Sequence, residues 1–182
     1  MLPLFTPRLV LRRFNENDLP AFHAYRNDPN LARFQSWEAF NLTEAAAFIR
    51  EHQAREDGLP GQWLQIAITL RETDEIIGDC AFKLHADDIR QATIGVTLAR
   101  KYHRQGYAVE AMTYLLNHLF DMMKLHRVVA DTDPENAASW KLLERLGLRR
   151  EGHLKQSLWF KGRWADEYLY AIQRDEWWAR GG

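Results

Sequence analysis

Thiols, net charge and long apolar runs are all scarce in this chain. Cysteine occurs once, at Cys80, so an internal disulfide is excluded and no thiolate metal cluster can form. Set in an apolar run, that thiol reads as a small core residue. Excess charge of one sign is missing too: 24 Lys and Arg stand against 25 Asp and Glu, a formal net charge of −1. Bulk attraction to nucleic acid therefore has no support, which counts against an RNA-associated protein using Arg12, Arg13 and the aromatic residues. No apolar run approaches the roughly 20 residues that span a bilayer. The start, MLPLFTPRLVLRR, lacks the basic-then-apolar order of a secretory signal. A soluble, cytoplasmic protein without membrane or nucleic-acid partners is the expectation. The seven His are scattered, with no pair on one helix face beside a carboxylate, so no metal site is expected.

Hydrophobic residues make up 46% of 182 positions, enough for a sizeable core, and no linker or repeat interrupts them. We expect one domain over residues 1–182. Seven Trp, nine Phe and six Tyr suit a core, a ligand groove or an interface. Arg8 to Phe14 alternates apolar and basic residues and predicts a strand; Leu19 to Arg26 predicts a helix ended by Asp28-Pro29. Leu31 to Phe40 has no clean period, and Phe34, Trp37 and Phe40 wall a groove or fill a core beneath a loop. Thr43 opens a helix to about Arg55, and 57–61 breaks it. Three strand-like runs follow, Trp63 to Leu70, Ile76 to Leu84 and Ala92 to Leu98. Beyond the next helix come a strand at Arg127 to Asp131, a helix begun by Asp133-Pro134-Glu135-Asn136 and stopped at Gly147, and strands near 150–160 and 164–172. The order predicts an α+β fold, a mixed, mostly antiparallel sheet of six or seven strands flanked by helices. Trp177-Trp178 reads as a helix packed on the sheet, with a subunit interface as the other reading.

The chain is organised around Val96 to Met123. Ala108, Met112, Leu115, Leu116, Leu119, Phe120 and Met123 recur at helical spacing and bury one face. Ahead of them, Arg104-Gln105-Gly106-Tyr107-Ala108 is a basic turn whose glycine lets an anion approach. The next amides are the unpaired first donors of the helix, at the positive end of its dipole. Such a start is a ready phosphate site. An ordinary strand-to-helix turn would look the same.

These residues resemble the GNAT superfamily of N-acetyltransferases. His103-Arg104-Gln105-Gly106-Tyr107-Ala108 is similar to its Gln/Arg-x-x-Gly-x-Gly/Ala segment. Asn136 to Ser139, Leu146-Gly147-Leu148 and Glu151-Gly152 resemble signatures of the Rim-type branch, as do Thr6 to Arg12 and Gly162 to Asp166. The resemblance implies that the amides of Arg104, Gln105, Gly106, Tyr107, Ala108 and Val109 hold the pyrophosphate of acetyl-CoA, the acetyl donor, with His103 at the head of the segment. It further implies that Val96, Thr97 and Leu98 pair with the pantetheine arm, that Asn136 bonds that arm, and that Ser139 lies near the sulfur as general acid. Three positions depart from the pattern. Leu143 stands where many members carry a Tyr acid, and Thr93 and Leu158 stand where relatives carry a Glu.

An alkylammonium must lose a proton before its nitrogen attacks a thioester, so a base matters more than an acid. His85, Asp87, Asp88 and Glu110 are candidates. Asp87-Asp88 reads as a turn and Glu110 as complement to its helix start, which leaves His85 at a strand end. Cys80 has no base beside it in sequence, which argues against a covalent route. The expectation is a transferase passing an acetyl group directly to a primary amine, of a protein N-terminus or a small molecule, as a monomer or homodimer. The rival is a catalytically inactive acyl-CoA sensor.

Overall fold

The computed structural model describes residues 2–56 and 58–181. Its strands are β1 (Leu4–Phe5), β2 (Leu9–Arg12), β3 (Trp63–Leu70), β4 (Ile76–Leu84), β5 (Gln91–Leu98), β6 (Arg127–Thr132), β7 (Arg149–Phe160) and β8 (Arg163–Gln173). Its helices are α1 (Leu19–Arg26), α2 (Pro29–Ala32), α3 (Leu42–Ala54), α4 (Tyr107–Asn117), α5 (Ala137–Arg145) and α6 (Arg174–Ala179). Among the described residues all strands join one sheet in the order β1-β2-β3-β4-β5-β6-β8-β7, and only β5 with β6 runs parallel. The sheet thus has eight strands rather than six or seven. The addition is β1, two residues folded back on β2, too short to carry an apolar period.

Apolar alternation explains which face each strand buries. Leu9 and Leu11 of β2, Ile66 and Ile68 of β3, and Phe82 of β4 join one core with Met112, Leu115 and Leu116 of α4. On the opposite face, α1 and α3 cover β3 and β4 through Phe14, Phe22, Ala45, Ile49 and Ala67. Phe40 packs into this second core rather than a groove, with its ring 5.8 Å from Phe48. Beneath it lies a buried charge: Arg26 donates to Asp79 (2.8 Å), the Tyr25 hydroxyl donates to the other oxygen (2.6 Å), and Trp37 stacks on the guanidinium at 3.7 Å. Each group satisfies another, which is what keeps an ion pair tolerable out of water.

One local start differs from the sequence reading, and another takes one of the two caps it offered. Asn41, not Thr43, caps α3, accepting from Glu44 N–H in a reciprocal capping box. Asp133-Pro134 forms a turn, and α5 starts only after Asn136, whose side chain accepts from Ser139 N–H. The long central helix also changes pitch: α4 ends at Asn117 and a wide π turn, His118–Met122, carries Leu119 and Phe120 on into the core. At the C-terminal end Trp177 is buried and its indole donates to Asn117 (2.8 Å), whereas Trp178 is exposed. No described helix is long and apolar enough to cross a membrane.

Candidate active site

The site begins where the one parallel pair comes apart. β5 and β6 pair at only three positions, Gln91 with Arg127, Ala92 with Val128 and Thr93 with Val129. β5 then stays with β4 as far as Gly78 opposite Leu98, and β6 stays with β8 as far as Thr132 opposite Tyr168. Gly78 lets the end of β5 lie close: a Cβ there would be 2.2 Å from the Thr97 carbonyl, so only glycine permits that approach. Between the strands a cleft opens, edged by the stretch of β5 from Ile94 onward that β6 does not pair.

The cleft leads to the start of α4. Arg104 (φ 61°) and Gly106 (φ 82°) are both left-handed, and such alternation turns successive N–H groups toward one side as an anion-binding nest. The first internal bond of the helix runs from Glu110 N–H to the Gly106 carbonyl (3.0 Å), so the amides of Tyr107, Ala108 and Val109 point out of the helix end. The β1–β2 turn clamps this loop. Glu110 accepts from the Thr6 hydroxyl (2.6 Å), Arg8 N–H (2.8 Å) and Arg8 Nε (2.6 Å), while Arg8 Nη1 donates to the Gln105 carbonyl (3.0 Å). Burial alone would raise the Glu110 carboxyl, but these donors outweigh it and hold it below its usual range. His103 Nε2 lies 2.8 Å from the Leu98 carbonyl and ties the loop to the end of β5. Because a carbonyl only accepts, Nε2 carries the proton. On the other side of the cleft, Asn136 spends its side-chain oxygen on Ser139 N–H (3.3 Å), which leaves its NH2 group as a donor. Leu143 is buried in the core.

Opposite the helices, cross-strand register sets the floor. Lys83, Thr93, Val129 and Ala171 form one row across β4, β5, β6 and β8. In the next row Ala81 and Gly95 lie on one side of the cleft, Asp131 and Leu169 on the other. Nothing lies within 4 Å of where a Gly95 Cβ would sit, so the floor has room at its centre. Asp131 borders a cavity of about 170 Å³ lined by Arg127, Val129, Glu151 and Leu169. Asp131 is exposed to solvent, yet neighbouring protein atoms crowd it enough to desolvate its carboxyl. This desolvation, together with the charge of Glu167, raises its carboxyl, and Lys83 pulls it back. His85 sits at the paired end of the floor, with Nε2 3.1 Å from the Thr93 hydroxyl. Asp88 is a turn residue, accepting from Arg90 N–H (3.1 Å). Cys80 is wholly buried and its thiol is pushed up, by burial first and by Asp79 second.

A roof crosses this floor. Lys161, at the tip of the β7–β8 hairpin, donates to the carbonyls of Ala32 (2.7 Å) and Trp37 (2.9 Å). Arg163 reaches Asp133 at 3.6 Å, and Arg33 reaches Glu135 at 3.4 Å. Trp37 therefore stands at the roof, with Phe34 beside it on the Arg33 guanidinium (4.2 Å).

Comparison with known proteins decides the family. The acetyltransferase (GNAT) domain model matches residues 8–149. The chain belongs to the GNAT acetyltransferases. This GNAT protein is 32% identical over 177 residues to the N-acetyltransferase p20 of Bacillus licheniformis, covering 97% of this chain and 98% of that one. It is 27% identical over 180 residues to the [ribosomal protein uS5]-alanine N-acetyltransferase of Escherichia coli, covering 96% and 92%. Mycobacterium smegmatis RimJ, solved in complex with CoA-disulfide, superposes with a TM-score of 0.79 at 26% identity, covering 99% and 93%. The GNAT enzyme is thus an N-acetyltransferase with relatives in the Rim-type branch, and its sheet is the mixed, mostly antiparallel one expected.

Asp131, Arg8 and Glu167 received no role from the sequence. The signal for Asp131 was a carboxylate ending an otherwise apolar strand, RVVAD, on the same side as Arg127 and Val129.

Proposed function

We propose that this chain, acting as one catalytic domain in the cytoplasm as a monomer or homodimer, transfers an acetyl group from acetyl-CoA directly to a primary amine. The cleft between β5 and β6 carries the reading, because it joins an anion-binding helix start to a proton-accepting floor. Acetyl-CoA supplies the activated acetyl group as a thioester. The amides of Arg104 to Val109, with His103 steadying the loop, would hold the pyrophosphate; a Cβ at Gly106 would stand in its path. The free edge at Val96, Thr97 and Leu98 would pair with the pantetheine arm, and the NH2 group of Asn136 would donate to it. The RimJ complex with CoA-disulfide supports this placement by likeness of fold.

For the chemistry, Asp131 is our preferred proton acceptor. It lies on the parted section of β6, in the row that holds Gly95, and its raised carboxyl is a better proton acceptor than an ordinary aspartate. Asp131 takes a proton from the acceptor's ammonium, and the freed nitrogen attacks the thioester carbonyl. A carbon–nitrogen bond forms and the carbon–sulfur bond breaks; Ser139 gives the departing sulfur a proton and takes in its place the one the nitrogen sheds as it becomes an amide. His85 is the second candidate base, through its bond to Thr93. The name of the uS5-alanine relative favours a protein N-terminus as acceptor, with small-molecule amines as the alternative.

The test is CoA release over a panel of N-terminal peptides and small amines, with Asp131→Asn and His85→Ala beside the parent. Asp131→Asn should lower turnover by about a hundredfold or more with acetyl-CoA affinity nearly unchanged. Parent-like turnover by Asp131→Asn with a loss in His85→Ala would transfer the role to His85. Binding of acetyl-CoA without turnover on any amine would instead favour the sensor, to which Leu143, Thr93 and Leu158 point.

A further inference from the structure

We propose that Glu167, held by the hydroxyl of Ser157, is a positioning residue that places a negative charge beside Asp131 and so makes Asp131 the proton acceptor of the reaction. This rests on Asp131 being the base. The geometry is that of a cross-strand diagonal. Asp131 on β6 opposes Leu169 on β8, and Glu167 lies two residues along β8 on the same face, where diagonal neighbours stand about 7–8 Å apart.

A bulge in β7 fixes that carboxylate. Leu154 opposes Glu167 and Leu158 opposes Ala165, so three residues of β7, Lys155, Gln156 and Ser157, face Asp166 alone. Gln156 is left-handed (φ 46°), and its N–H donates to Asp166 (2.9 Å), which also lies 2.8 Å from His153 Nε2. In an unbroken ladder Ser157 would oppose Asp166 and point to the other face. The bulge turns it instead, and its hydroxyl donates to Glu167 at 2.8 Å. Bulges commonly re-aim a side chain beside an active site.

The other charges around Asp131 do not supply the same effect. Lys83 on β4 acts in the opposite direction. Glu151 on β7 is engaged by Arg127 and Arg149. Asp133, just past β6, lies near Arg163, and His85 is bonded to Thr93 on β5. Glu167 accepts from a neutral hydroxyl and, among the described residues, pairs with no cation, so its charge acts on Asp131.

The experiment is the pH profile of kcat/KM for one amine at saturating acetyl-CoA, for the parent, Glu167→Gln, Glu167→Asp, Ser157→Ala and Asp131→Asn. Removing a like charge lowers the proton affinity of Asp131. In Glu167→Gln the acid-side inflection should therefore move down by about half to one pH unit, as for like charges about 7 Å apart between surface and bulk dielectric. Below the parent's inflection this variant then keeps a larger fraction of its plateau rate than the parent. Glu167→Asp should restore most of the parent profile, and Ser157→Ala should shift it the same way by less. A merely structural role would depress the rate equally at every pH. An unmoved inflection or a uniform loss in Glu167→Gln overturns the proposal; should that variant not fold, Ser157→Ala decides, and an unmoved inflection there overturns it. If Asp131→Asn keeps the acid limb, the reading of Asp131 as base fails instead.

Discussion

Arg8 and Glu110 lie 102 positions apart in the chain and 2.6 Å apart in the fold, and together they brace the loop before α4, where Arg104 and Gly106 are left-handed. Glu110 gives both oxygens to Thr6 and Arg8, so it braces the helix start without occupying it.

Loosening that brace should weaken acetyl-CoA. Glu110→Gln, which removes the charge opposite Arg8, should cost roughly tenfold in affinity, about 1.4 kcal/mol. Gly106→Val should cost more, because a β-branched residue at φ 82° is strained and its side chain occupies the anion's approach. The Cβ itself would be 3.4 Å from Arg8 Nη2, the end of a flexible side chain, so the fold should survive. Calorimetric titration reads both, and unchanged affinity in folded variants would place the pyrophosphate elsewhere. The depressed Glu110 carboxyl sets the pH sense: its contribution is present above the unfolded carboxyl range and is lost as pH falls through the lower folded value.

Cys80 should be dispensable for transfer. Its thiol is wholly buried and pushed up by its surroundings, so it supplies little of the thiolate that a covalent route needs. Cys80→Ala should keep most of the activity, and acetyl-CoA alone should leave no acetyl group on the parent. An acetylated Cys80 in mass spectrometry, able to pass the group to an amine, would show a covalent route.

His52 should make stability depend on pH. Burial, and then the charge of Arg55, lower its imidazole to about 4; it packs on Phe48 with ring centroids 4.2 Å apart. The unfolded chain takes up this proton near about 6.5, before the folded chain does. Stability should therefore fall as pH drops from about 6.5 toward 4, by at most about 3 kcal/mol from this group. Denaturant melts at pH 7 and pH 5 measure the slope. His52→Gln should flatten it, and an equal slope in that variant would assign the dependence to other groups.

Much of the fold was legible as local pattern. Trp63–Leu70, Ile76–Leu84 and Leu19–Arg26 begin and end where apolar periods and breakers put them. The amphipathic face after Gly106 is equally a property of spacing, and so is the glycine itself, since a left-handed residue before a helix needs no distant partner to be recognised. The cleft between β5 and β6 is of another kind. Both strands look continuous along the chain, and they part beyond Thr93 and Val129, where β5 keeps its register with β4 and β6 keeps its register with β8. Arg8 meeting Glu110, Lys161 closing the roof and Glu167 beside Asp131 each join segments far apart in sequence. Sequence determined which residues lie on which face of each element; the pairing register, a long-range outcome of packing, decided which of those faces meet.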